Sequence, residues 1–133
     1  MQKYNLSRYG FSVVLPDSWK IEQDKNTFTC YNPIEGVGAL QISVYYNEPD
    51  KKVFHKKELV DYLTEKGIID DDVIKSIETI LSMSSVSYIV NDEYWEIAIM
   101  TKKEKIFFIT YNCEVQDQLE ETKDRKRIIK SIK

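Results

Sequence analysis

Apolar positions with a period of two recur along this chain, interrupted near the middle and at the end by stretches with the period of a helix. In "YGFSVVLPDSW" (9–19), Phe11, Val13 and Leu15 alternate with Ser12 and Val14, as in a strand with one buried face. Pro16 keeps Leu15 extended and presets a turn through Asp17. Trp19 and Ile21 then share one face of a following strand, and "NTFTCY" (26–31) continues the meander until "NPIEGVG" breaks it. In "ALQISVYY" (39–46), Leu40, Ile42, Val44 and Tyr46 point one way and Gln41, Ser43 and Tyr45 the other, which predicts a half-buried strand.

From Phe54 to Lys66 the period changes: Leu59, Val60 and Leu63 form a helical stripe with Tyr62 at its edge, and Gly67 is a suitable terminator. The Asp70–Asp72 run suits the cap of a short helix near 71–77, while the Ser, Thr and Ile residues beyond it equally suit a strand. Three strands follow at 85–90, 94–101 and 105–113, joined by Asn91-Asp92 and by Lys102-Lys103-Glu104 as in consecutive hairpins. In the last strand Ile106 and Phe108 lie on one face and Phe107, Ile109 and Tyr111 on the other, so its sheet needs cover on both faces. The C-terminal segment supplies one cover, with Leu119, Thr122, Ile129 and Ile132 on its apolar face. Its acids precede its bases, the order that complements a helix dipole, so "KDRKRIIK" reads as a solvated helix end rather than a nucleic-acid contact. The expectation is an α+β fold over residues 1–133 as one domain: an antiparallel β-sheet with helices on both faces. Trp19, Phe28, Ile42, Leu63, Ile97, Phe108 and Ile129 are its expected core.

Charge narrows the partners. Lys and Arg total 19 against 22 acids, a net charge of −3, so there is no global basic footprint for nucleic acid. No apolar run has the length of a signal sequence or a membrane span, which leads to the expectation of a cytoplasmic protein without a membrane partner. Cys30 and Cys113 lie far apart, outside any C-x-x-C pair and away from the single histidine, and read as buried reduced thiols.

The candidate chemistry is sparse. His55, the only histidine, sits in "KVFHKKE" among lysines at a helix start, without an identifiable partner for a general base or triad. "EGVG" lacks the spacing of a phosphate loop or dinucleotide fingerprint, and Asp70–Asp72 lack the alternation, glycine and distal glutamate of a calcium loop. No catalytic, cofactor-binding or metal residue is assigned. Tyrosine is abundant, nine residues, and Tyr45, Tyr94 and Glu96 are the candidate partner-binding residues if they share an uncovered part of the sheet.

Three features taken in order, the opening "YGFSVVLPDSW", the strand "GALQISVYY" and the end "IFFITYNC" with a helix finishing "IIKSI", resemble the PsbP-like superfamily. Pro16, Trp19, Tyr111 and Ser131 carry the resemblance together with the hydrophobic pattern. That superfamily includes the photosystem II extrinsic protein, a Ran-binding nuclear import factor and small uncharacterised bacterial domains, and this chain is nearest in character to the last. The resemblance implies an α/β/α sandwich. Neither the family's metal-binding residues nor its Ran-binding surface maps onto particular positions here, so no site is carried over. Two functions follow as expectations. The first is a non-catalytic protein-binding module, scaffolding or immunity-like against a basic toxin. The alternative is a small enzyme or ligand carrier whose pocket residues are dispersed over several strands.

Overall fold

The computed structural model describes residues 1–48 and 50–133. Strands β1 (Gln2–Leu6) and β2 (Phe11–Leu15) form a separate antiparallel hairpin. The other strands are β3 (Lys20–Asp24), β4 (Thr27–Tyr31), β5 (Gly38–Tyr46), β6 (Glu78–Ile80), β7 (Met83–Val90), β8 (Glu93–Lys102) and β9 (Lys105–Glu114). They make one seven-stranded antiparallel sheet in the order β3-β4-β5-β9-β8-β7-β6. The turn expected at Asn91-Asp92 joins β7 to β8 with both residues at positive φ, 51° and 63°, the backbone that tight hairpins favour.

Alternation divides the sheet into two faces, each with its own core. Helix α1 (His55–Glu65) lays Leu59 and Leu63 over Val86, Ile97 and Ile99, and the short α2 (Asp71–Lys75) adds Val73 and Ile74 beside them. The Asp70 carboxylate caps α2 by accepting the Asp72 N–H at 2.8 Å. On the opposite face the β1–β2 hairpin and α3 (Thr122–Ser131) cover Phe28, Cys30, Leu40, Ile42, Phe107 and Ile109. The sheet is thus sandwiched, as the two-sided β9 requires.

Three of the residues that carry the resemblance, Pro16, Trp19 and Ser131, tie the two ends of the chain into the core. Pro16 turns the chain and its carbonyl accepts the Trp19 N–H at 2.9 Å, which seats the Trp19 side chain in the core at 1% exposure. Ser131 Oγ accepts the Val14 N–H at 2.8 Å, and Ser12 and Lys133 exchange backbone hydrogen bonds of 2.8 and 3.1 Å. The end of α3 is therefore stitched to β2, across a sequence separation of 117 residues.

Several expectations change in detail. β1 has too few apolar residues to signal a strand, and only Tyr4 and Leu6 pack against the core. Leu119 precedes α3 and stands exposed, and the inward face of the helix carries Arg125 and Ile128, leaving Ile129 half-buried. Within β9, Phe107 is buried and Phe108 only half-buried, because the hairpin side is sealed while Phe108 meets α1 at its margin, its ring 4.8 Å from that of Tyr62. Tyr46 ends β5 in solvent rather than in the core.

Candidate functional site

The two covers differ in extent. The hairpin and α3 protect β4, β5, β9 and much of β8, where Arg125 meets Glu96 and Ala98 and Met100 are buried, whereas β7 and β6 are left less covered on the same face. Side chains there are small: Ser85 lies opposite Ala98 and Ser87 opposite Glu96, with Met83 opposite Met100 one step along. Between this floor and α3 lies an open cleft of about 800 Å³. Its α3 wall carries Arg125, Lys126, Ile129 and Lys130, two i, i+4 rows side by side on the helix. Its far rim is the β6–β7 turn, where Ile80 and Leu81 are 63% and 95% exposed. Leu81 also holds a φ of 54°, a left-handed conformation that a leucine adopts only at a cost of about 1 to 2 kcal/mol.

The inner end of the cleft is polar and densely bonded. Arg125, 2% exposed, donates from Nε to Glu96 Oε2 at 2.5 Å and from Nη2 to the Gln118 carbonyl at 3.2 Å. Its guanidinium carbon lies 4.3 Å from the Tyr111 ring centre and 5.8 Å from that of Tyr94, so the cation is stacked on aromatic faces as well as paired. Nη1 is buried with no hydrogen-bond partner among the described residues. Burial opposes the Arg125 charge, but the hydrogen bond and charge of Glu96 outweigh it and hold the guanidinium above its ordinary range.

Behind the arginine, the Tyr111 hydroxyl donates to Glu121 Oε1 at 2.8 Å, and the same oxygen accepts the Gly38 N–H at 3.1 Å. Burial first, and then the Glu121 carboxylate, push the Tyr111 hydroxyl well above its usual range, so it remains a donor. The close approach of β5 requires glycine, since a Cβ at residue 38 would lie 2.6 Å from the Tyr111 hydroxyl oxygen and 2.5 Å from the Asn112 carbonyl oxygen.

The three candidate partner residues do not form one patch. Tyr94 and Glu96 share the cleft face, where Glu96 lines the cavity and Tyr94 flanks Arg125. Tyr45 pairs with Ile106 in the register of β5 and β9 and therefore points to the α1 face, into a separate hollow of about 720 Å³ beside Tyr62 and Phe108. Register across the intervening β9 sets this opposition, and no local pattern in β5 or β8 carries it. Arg125 escaped the sequence reading because it stands in a run of exposed cations. The available signal was its i, i+3 spacing to Ile128, which puts both on one helical face.

His55 does have a partner: its Nε2 lies 2.8 Å from Thr101 Oγ1, tying the start of α1 to β8. Among the described residues no hydrogen bond links His55 to an acid or a thiol. Cys30 and Cys113 are both buried and free. Burial pushes the Cys30 thiol up to about 12 and raises Cys113 as well, so neither is a ready nucleophile at neutral pH. Among the described residues no cluster of three or more His, Cys, Asp or Glu is arranged to hold a metal ion, and no helix is long and apolar enough to cross a membrane.

Two solved structures share this architecture. One is the solution structure of cyanobacterial PsbP, CyanoP, from Synechocystis sp. PCC 6803, with a TM-score of 0.68 at 13% identity, covering 99% of this chain and 91% of that one. The other is a crystal structure of a protein from Bacteroides thetaiotaomicron VPI-5482, with a TM-score of 0.65 at 17% identity, covering 99% of this chain. This chain spans about half of the Bacteroides protein, 47% of its length. No family model matches the sequence, and no curated protein matches it significantly. The fold is PsbP-like: an antiparallel sheet flanked by helices, as the sequence resemblance implies. At these identities the likeness concerns the fold, and the site has to be argued from its own residues.

Proposed function

We propose that this protein is a non-catalytic binding module and that a protein partner docks in the cleft between α3 and the β6–β8 part of the sheet. The observation that carries the reading is the pairing of an open cleft of about 800 Å³ with a rim of exposed aliphatic side chains, Ile80 and Leu81. Aliphatic groups held in water on a strained turn gain most when another surface covers them. The polar groups at the inner end also suit a scaffold: Glu96 is paired with Arg125 and Tyr111 with Glu121, so these four groups are engaged with one another. A second reading, a ligand carrier whose pocket residues come from several strands, is favoured by the volume of the cleft, which falls within the range of roughly 300 to 1,000 Å³ common for small-molecule sites.

Site-directed photo-crosslinking in the source cells separates these readings. A photoreactive residue in place of Leu81 is expected to capture a discrete protein, and Ser87→Trp, which fills the exposed floor, should abolish that capture. The same residue in place of Lys57, exposed on α1, should not capture it. Equal capture from both positions, or capture indifferent to Ser87→Trp, would remove the cleft from the argument.

A further inference from the structure

The cleft has a charge bias that runs against the protein as a whole. The chain carries a net charge of −3, yet Lys102, Arg125, Lys126 and Lys130 line the cavity against only Glu78 and Glu96. Glu96 is already committed to Arg125, and Lys102 donates to the Ile132 carbonyl at 2.5 Å. What remains is an arginine 2% exposed with one nitrogen unpartnered among the described residues, beside two exposed lysines on the same helix wall. A buried cation with unused donor capacity, next to further cations and unopposed by an equal number of acids, raises a positive potential inside the cavity. The opposite rim is apolar, through Ile80 and Leu81, and the floor is built of small side chains, with Met83 and Ser85 half-buried and Ser87 exposed.

We infer that the segment received by this cleft is an acidic-aliphatic stretch of polypeptide. Its aliphatic side chains cover the Ile80–Leu81 rim and the half-buried Met83, and its carboxylate lies against the α3 wall where Lys126 and Lys130 stand beside Arg125. The inference rests on the cleft being the docking site and adds the chemistry of the occupant. A polypeptide fits the position better than a small amphiphile for a further reason. Strand β6 pairs only with Met83, Ser84 and Ser85 of β7, so from Val86 to Val90 the outer edge of β7 has no strand partner among the described residues. An extended segment running from the cleft over the sheet edge would have backbone groups to meet there. A strongly basic partner, by contrast, would bring its charges against a lining whose cations outnumber its acids four to two.

Fluorescence anisotropy with three short synthetic peptides tests this: one of leucine and glutamate, one of leucine and lysine, and one of serine and glutamate. The Leu/Glu peptide is expected to bind wild-type protein, to weaken as salt rises, and to lose about tenfold in affinity with the surface double variant Lys126→Glu/Lys130→Glu. Leu81→Ser should weaken it too. All three positions are exposed, so the thermal unfolding midpoint should fall only by the modest helix-dipole cost of acids near the end of α3, and the salt series on wild-type protein tests the charge without any variant. Equal affinity for the Leu/Lys peptide, lost in Ser87→Trp, would overturn the carboxylate while leaving the cleft as docking site. Equal affinity for the Ser/Glu peptide would overturn the aliphatic component. Silence from all three would overturn the inference, leaving the crosslink at position 81 to judge the docking site separately. Saturable binding of decanoate with all three peptides silent would overturn both in favour of a ligand carrier.

Discussion

Removing either member of the Glu96–Arg125 pair deletes the same 2.5 Å contact, yet the two deletions should differ in consequence. In Glu96→Ala the guanidinium stays behind with 3% of its side chain exposed, bonded only to the Gln118 carbonyl and stacked on aromatic rings. Stranding a buried charge in this way typically costs about 3 to 5 kcal/mol. In Arg125→Met the survivor is a carboxylate whose side chain is 33% exposed on the cleft wall, where water can solvate it. The loss is then the stacking and the hydrogen bonds to Glu96 and to the Gln118 carbonyl, about 2 kcal/mol. With the arginine gone the carboxylate has little left to stabilise, so Glu96→Ala/Arg125→Met should be about as stable as Arg125→Met alone, a non-additivity equal to the whole cost of Glu96→Ala, about 3 to 5 kcal/mol. Urea unfolding of the four proteins, with slopes checked for equality, measures the cycle. Equal losses for the two single variants, or less than about 1 kcal/mol for Glu96→Ala, would mean that Arg125 is solvated and that the cleft ends in water rather than in a buried ion pair.

Two further expectations concern the hairpin side of the core. Trp19→Ala should cost about 3 to 5 kcal/mol in denaturant melts, because the side chain is 1% exposed, whereas Trp19→Phe should cost less than about 2 kcal/mol, since it keeps much of the apolar volume and removes an indole N–H that has no hydrogen-bond partner among the described residues. Equal losses would show that the indole is not seated in the core. Cys30 stays protonated in the native state when the unfolded thiol ionises, because its folded value lies near 12 against 9.0 for a free thiol. The stability it confers is therefore complete below pH 9 and falls as pH rises from there toward 12, by up to about 1.4 kcal/mol per pH unit. Cys30→Ala should flatten that decline in chemical denaturation measured between pH 9 and pH 10.5, a range inside the predicted window, and identical slopes would refute the burial of the thiol.

Local periodicity determined much of this protein. The turn at Pro16, the hairpin turn at Asn91-Asp92, the strand starting at Lys105 and the α1 stripe through Leu59 and Leu63 all follow from neighbours in sequence, because pleat, helical repeat and turn conformation are short-range properties. The need for two covers was legible as well, since Phe107 and Phe108 point to opposite faces of one strand. Tertiary structure decided the rest. Which face of α3 turns inward depends on where the β1–β2 hairpin and Ser131 hold that helix, and the result buries Arg125 and Ile128 while leaving Leu119 outside. Whether Tyr45 joins Tyr94 and Glu96 depends on register through β9, and it does not. The cleft itself exists because strand order carries β7 and β6 past the reach of α3, and small side chains at Ser85, Ser87 and Ala98 leave the space unfilled. A cavity is a property of elements distant in sequence, so its charge and shape emerge only when Lys126 and Lys130 from the last helix face Ile80 and Leu81 across the sheet.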